Sequence, residues 1–200
     1  MAEEFQKNVT GAILAGGLSR RMKGIDKGLL QLNNKPLLEY AIEKIRPQTS
    51  NIFINTNTHI TEYEQFGFQI VEDDIQGYPG PLAGISACLK LANTEFILCV
   101  PCDSPLLPDN LGANLYQVMK QHSADIAYSH DGTRAQPLFA LIKCKLAASA
   151  SEYLMSGHNK VETWYKQHKA IECDFSDQAV KFLNINSEQD LQKASNIHIE

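Results

Sequence analysis

At 200 residues, 44% of them apolar, the chain has material for a full hydrophobic core and is close to the size of one α/β domain. Its formal net charge of −5 excludes a broad basic face that would displace counterions from nucleic acid. No stretch reaches the roughly 18 consecutive apolar residues of a membrane span, and Met1 to Asn8 is acidic and polar, unlike a secretory signal. The expectation is a cytoplasmic protein with neither a nucleic-acid nor a membrane partner.

The first predicted element is the apolar run Val9 to Leu14, a strand buried on both faces and therefore part of a mostly parallel sheet. It ends at Gly16-Gly17, and Arg20, Arg21, Lys23 and Lys27 all fall within the next ten residues. Glycines there let a ligand approach the backbone amides closely, and the cations suit a polyphosphate. Two known phosphate loops are excluded by spelling. Walker A requires Gly-Lys-Ser/Thr where this chain has Met22 after the spacer, and G-x-G-x-x-G is absent.

Asn33-Asn34 predicts a turn, and Pro36 suits the start of a helix in which Leu37, Leu38, Ala41, Ile42 and Ile45 repeat at helical spacing before Pro47. Asn51 to Thr56 reads as the second strand, with Asn55 and Asn57 at its carboxyl end. Phe68 to Glu72 reads as the third, delivering Glu72-Asp73-Asp74 to the same edge, where open α/β sheets bind ligands. Pro79-Gly80-Pro81 is a rigid corner before a helix bearing Leu82, Ile85 and Leu89, in which Gly84 serves either close packing or close approach of a ligand. Glu95 to Pro101 predicts the central strand. Asp103, just past its end and opposite the cationic loop, can hold Mg²⁺, a hard cation that shares oxygen ligands with substrate phosphates, or can cap the turn before Pro105.

Pro108 to His122 predicts a helix, Asp125 to Ser129 and Gln136 to Ile142 two strands joined at Asp131-Gly132 in a hairpin, and Lys145 to Met155 and Val161 to His168 two further helices. The loop between them offers His158 and Lys160 as acceptor-phosphate contacts. Ile171 to Phe175 and Phe182 to Ile185 predict late strands, and Ser187-x-x-Asp190 a capping box for a last helix. Asn184 and Asn186 alternate along one side of their extended segment. The five cysteines, Cys88, Cys99, Cys102, Cys144 and Cys173, are odd in number and irregular in spacing, as for reduced thiols. Cys99-Val100-Pro101-Cys102 spells C-x-x-C, but no second ligand pair follows, so Cys99 reads as part of a buried strand rather than of a zinc or redox site. Strands alternating with helices predict an α/β fold, a three-layer α/β/α sandwich with a mostly parallel central sheet and an antiparallel hairpin.

Leu14-Ala15-Gly16-Gly17, Ser19-Arg20-Arg21-Met22 and Asp26-Lys27 resemble the LAGG-x-(S/A)-x-R-M-G-x-(D/N)-K loop of sugar-phosphate and cofactor nucleotidyltransferases, which have a Rossmann-like fold. Pro79-Gly80-Pro81-Leu82-Ala83-Gly84, Pro101-Cys102-Asp103-Ser104-Pro105 and Asn184-Ile185-Asn186 extend the likeness over nearly the whole chain, and within that superfamily it resembles the molybdenum cofactor guanylyltransferase, or MobA, family. Lys23-Gly24 departs from the family's Gly-Gly and adds a cation.

The resemblance implies one nucleotidyltransferase domain, with about 9–105 binding the nucleotide and about 106–200 the acceptor. The implied reaction joins the terminal phosphate of Mo-molybdopterin to the α-phosphorus of GTP, releasing pyrophosphate, with Mg²⁺ as cofactor. Lys27, Arg21 and Asp103 are the catalytic candidates, and Asp103 is the Mg²⁺ ligand. Leu14, Ala15, Gly16, Gly17, Lys27, Asn55, Asp73, Gly80 and Asp103 are the GTP-binding candidates. Asn184, Asn186 and Arg134 fall on the acceptor side. Molybdoenzyme chaperones and other cofactor-biosynthesis proteins are the implied macromolecular partners. The alternatives are a molybdopterin cytidylyltransferase, a sugar- or lipid-precursor nucleotidyltransferase, and, from a different class, a non-catalytic nucleotide sensor; the phosphate loop itself does not read a base.

Overall fold

The computed structural model describes residues 2–16, 26–75 and 80–196, so Gly17, Arg20, Arg21, Lys23 and Pro79 lie outside the described residues. A short helix α1 (Ala2–Lys7) precedes β1 (Val9–Leu14), all six residues of which are buried. A two-residue hairpin follows, β2 (Gln31–Leu32) and β3 (Lys35–Pro36), whose turn residues Asn33 and Asn34 both have positive φ, the conformation a tight hairpin turn requires. Then come α2 (Leu37–Ile45), β4 (Asn51–Asn55), the single-turn α3 (Ile60–Glu64), β5 (Gln69–Val71), α4 (Pro81–Leu91), β6 (Phe96–Pro101) and α5 (Leu111–Gln121). The second half adds β7 (Ile126–His130), β8 (Ala135–Lys143), α6 (Ala147–Met155), α7 (Val161–Tyr165), β9 (Ala170–Asp174) and α8 (Glu188–Asn196).

The main sheet has seven strands in the order β5-β4-β1-β6-β8-β7-β9, which makes β6 the central strand, as its unbroken apolar sequence predicts. The pairs β5-β4, β4-β1 and β1-β6 are parallel, and β8 runs antiparallel to β6 and β7. Strand direction thus delivers the carboxyl ends of β5, β4, β1 and β6 to one edge. The order reverses at β1, where the chain first builds outward through β4 and β5 and then returns to place β6 on the other side. That reversal opens a crevice at the edge, the usual ligand position in such sheets.

Alternation along the strands separates two apolar layers, which accounts for the sandwich. Ile13, Ile52, Ile54, Leu98 and Val100 face one layer with Leu38, Ile42, Leu115 and Met119 of α2 and α5. Ala12, Leu14, Phe53, Ile97 and Cys99 face the other with Leu82, Ile85, Leu154 and Trp164 of α4, α6 and α7. Cys99 and Cys102 belong to opposite layers, and the five cysteines are free thiols. The C-x-x-C spelling is therefore a product of strand alternation.

Several elements differ from the sequence reading: the helix predicted over Val161 to His168 ends at Tyr165, and the one predicted from Lys145 starts as α-helix at Ala147 after a 3-10 turn. Phe182 to Ile185 is no strand: Phe182 ends a 3-10 stretch (Ser176–Phe182) and packs edge-on against Phe139 and Phe175. Its apolar residues are anchors, with Ile185 buried against Leu32, Leu37 and Tyr40 rather than paired in a ladder. The predicted helix from Pro108 begins only at Leu111, where Gln48 of the preceding layer accepts the Gly112 N–H at 2.8 Å and satisfies the helix start from outside. The capping box is present, with Ser187 Oγ and Asp190 Oδ2 at 2.8 Å and the Asp190 N–H donating back to Ser187 Oγ at 3.2 Å.

Candidate active site

Register brings the candidate residues together. Leu14 is in line with Asn55 on one side and Pro101 on the other, and Asn55 is in line with Val71. Two residues past that row stand Gly16, Asn57, Asp73 and Asp103, all on the carboxyl edge. Cross-strand backbone bonds continue beyond the strands, Ala15 N–H to Asn55 O at 2.8 Å and Cys102 N–H to Leu14 O at 3.1 Å, so these ends are held as firmly as the sheet.

Between the ends of β1 and β6 lies a cleft of about 340 Å³ lined by Leu14, Ala15, Gly16, Lys27, Cys102, Asp103, Asn184 and Asn186, among others. Lys27 donates to Asp103 Oδ2 at 2.8 Å and to Asn186 Oδ1, which bridges residues that are 76 and 159 positions apart. Its side chain keeps 29% exposure, so the charge is open to the cleft. The segment carrying Asn184 and Asn186 is stitched onto the end of β6: the Ile185 N–H donates to Asp103 O at 2.8 Å, and buried Ser104 donates to Asn184 Oδ1 at 2.5 Å. Cys102 is a neutral thiol here, its pKa pushed well up first by burial and then by Asp103 beside it.

A second polar cluster forms at the ends of β4 and β5. The Asn55 amide donates to Asp73 Oδ1 at 2.8 Å and to Val71 O at 3.0 Å, Asn57 donates to Asp73 Oδ2 at 2.8 Å, and the Asp73 N–H returns a bond to Asn57 Oδ1 at 2.8 Å. A Cβ on Gly84 of α4 would lie 2.0 Å from Asn55 Oδ1, so glycine is needed there for the helix to seat against the amide. The alternative left open by the sequence is thereby decided in favour of close packing, although the partner is a polar site residue.

The residues 11–171 match the family model for a MobA-like NTP transferase domain. The chain belongs to the MobA-like NTP transferase family. Among the relatives of this MobA-like chain, a protein named molybdenum cofactor guanylyltransferase from Shewanella halifaxensis is 42% identical over 92% of both chains. One of the same name from Histophilus somni is 42% identical over 95% of this chain and 97% of its own. The fold is shared with the Archaeoglobus fulgidus molybdopterin-guanine dinucleotide biosynthesis protein A, at a TM-score of 0.78 and 22% identity over 94% of this chain and 97% of that one.

Within this MobA-like site, Leu14, Ala15, Gly16, Lys27, Asp103, Asn184 and Asn186 share one cleft, and Asn55 and Asp73 form the neighbouring cluster beside Gly16. Gly80, with φ +95°, stands at the start of α4 and lines an adjoining groove of about 430 Å³ with Lys160, which meets the cleft at Pro81 and Leu138. Arg134 is not brought in. It lies in the β7–β8 turn with its side chain 72% exposed and its Nε 3.9 Å from Asp131 Oδ2. His158 bonds Ser156 and tilts against Tyr153, facing a separate surface pocket between α6 and α7. Gly17 and Arg21 lie outside the described residues. Sequence reasoning missed Ser104, Leu138 and the buried partner of Asp26 described below, none of which carries a local signal.

Proposed function

We propose that this protein transfers GMP from GTP to the terminal phosphate of Mo-molybdopterin, forming the guanine dinucleotide and releasing pyrophosphate. One observation carries the reading: a lysine and a carboxylate from two motif blocks 76 positions apart meet in a cleft at the sheet's switch point, floored by the end of β1. The naming of relatives 42% identical over most of the chain supports GTP as donor.

An oxygen of the acceptor phosphate attacks the α-phosphorus, the bond to the bridging oxygen of the β-phosphate breaks, and pyrophosphate leaves with its electron pair. The nucleophile is already an anion, so no protein nucleophile or base is required. The barriers are repulsion between anions and charge growing on the leaving group, which positioning and cations lower. Lys27 would pass its hydrogen bonds from Asp103 and Asn186 to phosphate oxygens and neutralise the leaving pyrophosphate. Arg21 would add charge, and the Gly16–Gly17 amides would fix the triphosphate's path. Asn55, Asp73 and the backbone at Gly80 are assigned to base and ribose, and Asn184 and Asn186 to the acceptor.

Mg²⁺ takes one or two carboxylates and completes its shell with phosphates and water. Asp103, at the cleft wall, would hold it, and the ion would supply charge neutralisation across the triphosphate. Among the described residues no helix is long and apolar enough to cross a membrane. The proposed setting is the cytoplasm, with molybdoenzyme chaperones receiving the product.

Calorimetric titration with GTP, CTP and ATP, each with and without Mg²⁺, tests the reading. Selective, Mg²⁺-dependent GTP binding is expected; preference for CTP would move the assignment to the cytidylyl transfer, and binding of none of the three would remove it.

A further inference from the structure

Lys27 has four rotatable carbons, so the place of its ammonium depends on how firmly its backbone is held. Lys27 opens a 3-10 turn (Lys27–Leu29), and the residue before it, Asp26, is buried and caps that turn by accepting the Gly28 N–H at 3.1 Å. Asp26 also accepts from the Tyr63 hydroxyl and, at 3.4 Å, from Thr58 Oγ1. Tyr63 is fully buried on α3, and its pKa is pushed far above the ordinary phenol range by burial first and then by nearby Cys102 and Asp26, so its hydroxyl stays a donor. The same hydroxyl also meets the residue on the other side of Lys27. A Cβ on Gly28 would lie 2.4 Å from the Tyr63 hydroxyl, so the backbone after Lys27 rests directly on that oxygen. Tyr63 therefore touches both neighbours of Lys27 without touching Lys27.

We propose that Tyr63 and Asp26 are positioning residues for Lys27, a buried clamp that fixes the backbone from which its ammonium reaches into the cleft for the transfer reaction. The segment that supplies the clamp, from Thr58 to Tyr63, follows directly on Asn55 and Asn57, which orient Asp73. One stretch of chain thus fixes both the polar cluster at β5 and the lysine at the phosphate end. The catalytic consequence rests on the transfer reading above; the placement of Lys27 does not.

The test uses Tyr63→Phe, which removes one oxygen, and Asp26→Ala, which removes the acceptor of both bonds, should the first variant fold poorly. Either variant is expected to lower kcat for dinucleotide formation about 10- to 100-fold, the cost of a misplaced catalytic group, with KM for the pterin acceptor unchanged. In a Lys27→Ala background the same change should alter the residual rate by less than about twofold, since coupled residues are not additive. An equal fold-loss in both backgrounds, or an unchanged rate in the first, overturns the proposal. A second readout needs no turnover: the rate of reductive methylation of Lys27 by formaldehyde with cyanoborohydride as hydride donor, followed by peptide mass spectrometry, should rise severalfold in the variants. An unchanged methylation rate overturns the clamp, whereas a wild-type protein that forms no dinucleotide overturns the transfer reading and leaves this arm to decide the clamp.

Discussion

Lys27 and Asp103 pair at 2.8 Å, but Lys27 is partly in water, and such a pair contributes about 0–1 kcal/mol to stability. Its contribution to a transition state that gathers negative charge is larger, because a preorganised cation in a cleft is not reorganised as charge moves. Lys27→Ala is therefore expected to lower the transfer rate by about 10²–10³-fold while the thermal midpoint moves little, measured by product formation and calorimetry on the same sample. Gly84 sets the opposite balance. With Asn55 Oδ1 at 2.0 Å from a built Cβ, and the Asn55 amide already committed to Val71 and Asp73, Gly84→Ala has to push the asparagine or the helix aside. Overpacking of that kind costs about 1–3 kcal/mol, so denaturant unfolding should register it, and GTP affinity should fall as the Asn55–Asp73 pair is displaced.

At the scale of elements, the strands with the most apolar sequences were legible: β1 and β6 are buried on both faces, as strands in the middle of a sheet covered by helices on either side are. The capping box at Ser187 and the hairpin turn at Asp131 were legible because their hydrogen bonds are local. Phe182 to Ile185 misled because an apolar alternation serves an anchor as well as a strand, and only contacts with Phe139 and Leu32, far off in sequence, decide between them. The five-residue α3 is too short for periodicity to show, yet it brings Tyr63 to Asp26. Arg134 matched a family block, but its place on a hairpin tip could not be read before the register of β7 on β8 was known.

That hairpin turn yields a pH prediction. Partial burial raises the Asp131 pKa, but hydrogen bonds from Gln136 and from the Arg134 and Thr133 N–H groups outweigh it and bring the value down to about 2. A carboxyl depressed in the folded state contributes stability above its unfolded pKa, about 3.9, and loses it as pH falls toward the folded value. Carbon-detected NMR should place the Asp131 midpoint near the lower figure, with the Thr133 and Arg134 amide shifts moving in step; a midpoint at the ordinary value would contradict the turn described here.

Across the whole molecule, the sheet spans from Val9 to Asp174, and the segment after it folds back so that Asn184 and Asn186 close the cleft opened by β1. Gly16, Lys27 and Asp103 on the phosphate side and Asn184 and Asn186 on the acceptor side consequently share one cavity, which meets the groove at Lys160 through Pro81 and Leu138. A ligand filling that cavity should stabilise the entire fold. At a hundred times its dissociation constant, GTP with Mg²⁺ is expected to add about 2.7 kcal/mol, and the thermal midpoint should rise by several degrees, with a smaller shift for CTP at the same concentration.

The most direct measurement supplies the purified protein with Mo-molybdopterin, Mg²⁺ and GTP labelled at either the α- or the γ-phosphorus. The expected result is that α-label enters the guanine dinucleotide while γ-label leaves in pyrophosphate, and that Lys27→Ala slows the appearance of both labels by about 10²–10³-fold. Label in the product from CTP but not GTP, γ-label attached to the acceptor, or full transfer by the Lys27 variant would contradict it.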